Sequence, residues 1–234
     1  MKKKIMIVLI IVLLGVVSAL TYFTVKENKV SADEKNFKRE YESFNGKKSL
    51  TSGKKYPIVT IPEKNNIIYS SSDEVIDLLS EGTGIIYFGF PECPWCRSMI
   101  VPFLEVIEEK NETVHYFNAL SIRDIKELNE DGSIKTLQEG TDKYYKIIEL
   151  LGDDASVYEE LDDENIKRLY FPTVVFVKNG KVVYIHVSTV DSQKDPYKKL
   201  NSKQINELKR IFKLGIEKLH NSESSTVCTG KDSC

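Results

Sequence analysis

Residues 84–100, GIIYFGFPECPWCRSMI, constrain this chain more than any other stretch. Ile85 to Phe90 is a short apolar and aromatic run bounded by glycine and proline, the signature of a buried strand rather than of a helix. Pro91 ends the run, Cys93-Pro94-Trp95-Cys96 follows, and a helical segment begins there. A strand that feeds directly into a helix is the local unit from which α/β folds are built. Two cysteines three positions apart at such a junction can close a reversible disulfide across the first helical turn. The first sulfur then faces the unpaired N–H groups and the positive end of the helix, an environment that favours thiolate over thiol. Cys93 is the candidate nucleophile and Cys96 its resolving partner. The competing readings of a bare C-x-x-C are a static disulfide and half of a metal site.

The rest of the composition narrows the function classes. The 234 residues carry 33 basic and 35 acidic side chains, a net charge of −2, so no basic excess exists to hold a nucleic-acid backbone. Four cysteines are too few for a disulfide scaffold of this length, and they fall in two close pairs, 93/96 and 228/234. Pairs this local fit redox chemistry or small loops better than a stapled fold. Cys228 and Cys234 enclose either a small terminal disulfide loop or a tail that exchanges disulfides with Cys93 or a partner. Zinc held by all four cysteines is the weakest reading, because no second C-x-x-C and no histidine pattern supports it.

A second motif lies far downstream. Phe171-Pro172 precedes Thr173–Lys178, a strand pattern, then Asn179-Gly180, a two-residue hairpin turn, and a further strand from Lys181. A C-x-x-C opening a helix, followed later by a proline before a strand–Asn-Gly–strand hairpin, resembles the thioredoxin superfamily over about residues 67–220. With the N-terminal anchor, the aromatic strand before CPWC and the segment 189–193, the chain is more narrowly similar to membrane-tethered thioredoxin-like proteins of Gram-positive bacteria, including bacteriocin transport accessory proteins. The resemblance implies a mixed sheet with helices on both faces and a cis bond at Pro172 facing the thiols. It also implies that Phe171 offers backbone to an extended substrate, and that Trp95, set between the cysteines, meets substrate. One departure stands out. The family often keeps a buried Asp six positions before the first cysteine as proton acceptor for the resolving thiol, and that position is Tyr87 here. Tyrosine, with a pKa near 10, is a poor base at neutral pH. Cys96 must then lose its proton to water, to Glu92 or to another group.

The flanking segments give the expected organisation. Lys2 to Lys4 precede Ile5–Val25, 21 residues without a charge. At about 1.5 Å per residue that run spans a roughly 30 Å hydrocarbon core with the lysines inside and the remainder outside. A cleaved signal peptide is the alternative, with small-residue sites at 17–19 and 30–32. Residues 26–55 read as a flexible or partly helical tether, with Phe37, Tyr41 and Phe44 at helical spacing. Residues 56–220 read as the folded domain, with strands expected at 57–61 and 66–69 and a helix at 71–80. The connection 119–170 is long for one crossover and reads as a helical insertion, with helices at 144–151 and 157–169. An amphipathic helix at 199–219 closes the domain, and 221–234 is a polar cysteine-bearing tail. The expected activity is extracytoplasmic thiol–disulfide exchange on exported cysteine-containing proteins or peptides, recycled by a membrane redox partner, with no cofactor and no metal. A redox-silent binding or accessory module for an exported peptide is the alternative.

Overall fold

The computed structural model describes residues 30–221, together with positions 13 and 15. Its centre is a mixed five-stranded sheet. The strands are β1 (Ile67–Tyr69), β2 (Gly84–Phe88), β3 (Val114–Phe117), β8 (Thr173–Lys178) and β9 (Lys181–Val187), in the spatial order β1-β3-β2-β8-β9. β1 and β2 both run parallel to β3, while β8 is antiparallel to β2 and to β9. Side chains alternate between faces along each strand. Ile85 and Tyr87 with Val174 and Phe176 face one layer; Ile86 and Phe88 with Val175 and Val177 face the other. The first layer is built by α1 (Ala32–Ser43), α3 (Pro94–Lys110) and α5 (Ser202–His220), and the second by α2 (Ser72–Glu81) and α4 (Asp142–Leu151). The fold is thus α/β, with helices on both faces of a mixed sheet.

Local chemistry accounts for the boundaries. Ser71 caps α2, with a reciprocal bond from its own N–H to Glu74, and α2 stops at Gly82. Asn179 and Gly180 turn β8 into β9 with φ of 50° and 71°, the left-handed pair that a two-residue hairpin needs. Gly180 also lies so close to α2 that a Cβ there would sit 2.1 Å from the Ser80 carbonyl oxygen. α5 lies along α3 in the same direction, linked by Lys209–Glu105 at 2.6 Å and Lys213–Glu109 at 2.8 Å.

Three expectations are corrected. First, of the tether expected over 26–55, the described part from Ser31 on is not a tether. It begins the folded unit, because Phe37 and Tyr41 on α1 are fully buried in the same cluster as the sheet. Glu34 completes a capping box with Ser31 and accepts the N–H groups of Asn65 and Asn66, both at 2.9 Å, so α1 is bolted to the loop before β1. Second, 57–61 is extended but pairs with side chains rather than with a strand. Asn45 donates to the Val59 carbonyl and accepts its N–H, and Glu42 accepts the Ile61 N–H. Third, the 119–170 insertion is only partly helical. α4 matches the expected 144–151 helix, but residues 125–138 form a hairpin, β4 (Ile125–Leu128) with β5 (Ile134–Gln138). The expected 157–169 helix is instead a single turn and a short pairing of β6 (Ser156–Val157) with β7 (Lys167–Arg168). Asp163 accepts the Asn165 N–H at 2.9 Å and Asp162 is left-handed, so local side-chain bonds outcompete the helix.

The apolar run 5–25 lies outside the described residues apart from positions 13 and 15, and the tail with Cys228 and Cys234 lies outside them too. Among the described residues, no helix is long and apolar enough to cross a membrane.

Candidate active site

β2 ends at Phe88, and residues 89–93 carry the chain over the edge of the sheet to the start of α3. Cys93 is the N-cap of α3 and Pro94 its first residue, where the missing proline N–H costs no helical bond. The Cys96 N–H donates to the Cys93 sulfur at 3.1 Å, so the sulfur occupies the place that a capping oxygen usually takes. The two cysteines differ in access: Cys93 is 5 % exposed and Cys96 is 0 % exposed. A visiting disulfide meets Cys93 first. Burial pushes the Cys96 thiol well above its ordinary range, and the hydrogen bond and charge of Cys93 push the same way; the Phe90 backbone and the Tyr87 hydroxyl act against them.

The second motif comes to the same place. The Phe171–Pro172 peptide bond is cis, and the Cys93 thiol points at the Phe171 carbonyl at 3.7 Å. Phe171 and Phe90 meet edge to face at 5.4 Å, and both rings are half-buried. Trp95 is also half-buried, and Glu92 is exposed beside Cys93. The insertion reaches this rim through Arg123, whose guanidinium lies 4.9 Å from the centre of the Phe171 ring. Cys93, Cys96, Phe171 and Pro172, 78 positions apart in the chain at the Cys93–Phe171 contact, thus form one locus.

Two strand histidines lie apart from this locus. His115 bonds to Ser70 at 2.9 Å, and His186 packs edge-on against Phe212 at 5.6 Å. Burial lowers the pKa of both, with Glu74 opposing at His115 and the Thr189 backbone opposing at His186. Among the described residues, no group of three or more His, Cys, Asp or Glu side chains is placed to hold a metal ion.

Two residues escaped the sequence reading. Arg97, directly after Cys96, is 2 % exposed and has neutral acceptors on every side. It donates to the carbonyls of Tyr41 (2.7 Å), Pro91 (3.1 Å) and Pro57 (3.0 and 2.8 Å) and to the Asn45 side chain (2.5 Å). It therefore ties the loop before the cysteines to the end of α1 and to the extended 57–61 segment. Tyr41 is the other: its hydroxyl meets that of Tyr87 at 2.7 Å behind Cys96, with both rings fully buried. Helical spacing marked Tyr41 as apolar-face material. No local signal in the sequence tells which strand residue it meets.

Comparison with protein-family profiles, with curated proteins and with solved structures returns no match to this chain.

Proposed function

We propose that this protein is a thiol–disulfide oxidoreductase of thioredoxin-like fold. The observation that carries the reading is the Cys93 sulfur, capped by the Cys96 N–H at 3.1 Å and facing the Phe171 carbonyl, beside the cis Pro172, at 3.7 Å. The sheet order β1-β3-β2-β8-β9, with the cysteines leaving the end of central strand β2, agrees with it. In the reducing direction, the Cys93 thiolate attacks one sulfur of a substrate disulfide. The S–S bond breaks, the departing sulfur takes a proton, and a mixed disulfide remains. The Cys96 thiolate then attacks Cys93, the substrate's second thiol leaves, and the protein holds a Cys93–Cys96 disulfide; two electrons have passed to the substrate. The same steps reversed oxidise a dithiol. Trp95 and Phe171 line the approach and contact the substrate around Cys93. The apolar N-terminal run and the substrate-facing thiols fit work outside a membrane on exported cysteine-containing proteins or peptides, with a membrane dithiol or disulfide partner restoring the site.

The test uses purified protein with dithiothreitol and a disulfide-bonded protein substrate, and in the opposite direction a reduced peptide. Wild-type protein exchanges disulfides, and Cys93→Ser does not. Cys96→Ala accumulates mixed disulfides in cells, whose attached proteins identify the substrates. Equal behaviour of wild type and Cys93→Ser in both directions refutes the enzyme and leaves the peptide-binding module.

A further inference from the structure

Arg123 stands where the insertion meets the thiols, and the surrounding chain holds it there. Its N–H donates to the Ala119 carbonyl at 3.1 Å, the Gln138 amide donates to its carbonyl at 2.7 Å, and the Thr141 N–H holds the neighbouring Ile122 carbonyl at 2.9 Å. The half-buried side chain lies against Phe171, with the guanidinium 4.9 Å from the ring centre. Phe171 is the residue whose carbonyl faces the Cys93 sulfur at 3.7 Å. A single residue therefore separates this cation from the nucleophile.

A guanidinium offers a planar fork of N–H donors that matches a carboxylate two at a time. Arg97 uses its fork on backbone carbonyls and Asn45, as described above; Arg123 does not. Among the described residues its side chain makes one hydrogen bond, from Nη1 to the Leu169 carbonyl at 3.5 Å, its Nε is buried without a partner, and it forms no ion pair. The nearby acids serve other cations. Asp124 faces Lys126 at 3.4 Å, while Glu160 faces Arg168 at 3.9 Å and accepts the Tyr170 hydroxyl at 2.7 Å. Arg168 itself lies over the Tyr158 ring at 4.0 Å. Burial, and after it the charge of Arg168, lower the Arg123 pKa, with Tyr144, Tyr158 and Asp124 opposing. An arriving carboxylate relieves both effects. The attraction is local, because the chain has a net charge of −2 and Glu92 beside Cys93 is an exposed acid.

Resting on the exchange chemistry proposed above, we infer that Arg123 selects substrates carrying an aspartate or glutamate close to the exchanging cysteine, by pairing its guanidinium with that carboxylate while the Phe171 ring holds it in place. An extended peptide advances about 3.3 Å per residue, so the acid stands about two to four positions from the cysteine that meets Cys93. The insertion thereby reads substrate sequence, and the thiols, which any disulfide could reach, gain a preference that the sulfur chemistry does not supply.

The experiment uses the reduced full chain and short amidated peptides, each with a single cysteine joined by a disulfide to a chromogenic aromatic thiol. Cys93 attacks the peptide sulfur, the peptide–aryl S–S bond breaks, the Cys93–peptide S–S bond forms, and the aromatic thiolate leaves and is read by absorbance. Cys93→Ser, run in parallel, subtracts the reaction of other thiols. The peptides differ only in an Asp, Ala or Lys at the positions given above, on either side of the cysteine, and each rate constant is divided by that of dithiothreitol with the same peptide. Wild type takes an Asp peptide over its Lys counterpart by about fivefold to thirtyfold in second-order rate constant, and the ratio falls as salt is raised. Arg123→Gln brings the ratio close to one, and Arg123→Glu inverts it, which the loss of a packing contact does not do. If Arg123→Gln does not fold, Arg123→Lys carries the comparison with a ratio about threefold below that of wild type, because an ammonium lacks the planar fork. A wild type that takes both peptides equally, or a wild-type ratio in a folded Arg123→Gln or Arg123→Lys, overturns the inference and leaves the exchange activity standing. A wild type that releases no more aromatic thiol than Cys93→Ser overturns both.

Discussion

Replacing Arg97 by methionine tests how the loop before the cysteines is held. Arg97 makes five hydrogen bonds to four acceptors: three backbone carbonyls and the Asn45 side chain. Asn45 keeps the Val59 N–H when the guanidinium is gone, and the Tyr41 carbonyl keeps a long 3.4 Å bond from Phe44. The carbonyls of Pro57 and Pro91 lose the donor just described, and that of Tyr41 loses its short one. Each buried acceptor left without a partner costs about 1–3 kcal/mol, reduced where water reaches it. Removing a desolvated cation gives part of that back, since burial lowers the Arg97 pKa in spite of the opposing tyrosines Tyr41 and Tyr56. The net is a loss of about 2–4 kcal/mol, or roughly 10 °C in Tm for a domain of this size. Urea unfolding followed by far-UV circular dichroism measures it as a fall in midpoint at constant slope. Arg97→Lys recovers less than half, because one ammonium cannot span carbonyls on three sides. A methionine variant within about 0.5 kcal/mol of wild type refutes the reasoning, and with it the view that this buried cation braces the loop.

Two further outcomes concern the fold. Gly180→Ala forces a side chain onto the Ser80 carbonyl at a φ of 71° and loses about 1–3 kcal/mol, read as a lower urea midpoint and faster amide exchange in the β8–β9 turn; unchanged exchange there refutes it. His115 and His186, both depressed by burial below 6.5, make stability fall as pH drops. The unfolded chain binds protons as pH passes below about 6.5 while the folded chain refuses them until its own lower values, so the loss spans that window and none arises from these groups above about pH 7.5. The Nε2 of His186 is buried and has no hydrogen-bond partner among the described residues, and His186→Leu flattens the slope of urea midpoint against pH. An equally steep slope in that variant assigns the effect elsewhere.

What the sequence alone determined is what short-range chemistry decides. The strand 84–88, the turn into CPWC, the capped helix at 72–81 and the Asn-Gly hairpin each rest on residues within one or two turns of each other. Their geometry follows from caps, alternation and left-handed turn residues. The same is true of Phe37 and Tyr41 as the apolar face of a helix. The sequence could not say whether that helix packed, because burial depends on a surface contributed by residues far along the chain, such as Tyr87, 46 positions from Tyr41, and Tyr116. It could not foresee that 157–169 would give up its helical pattern to an Asp163 turn and to Tyr158, which bonds to both backbone groups of Lys126. Only the tertiary structure decided which groups stand behind the cysteines. A hydroxyl from α1, a hydroxyl from β2 and a guanidinium from α3 converge there because the sheet and two helices close on one point, and no periodicity along the chain encodes a meeting of that kind.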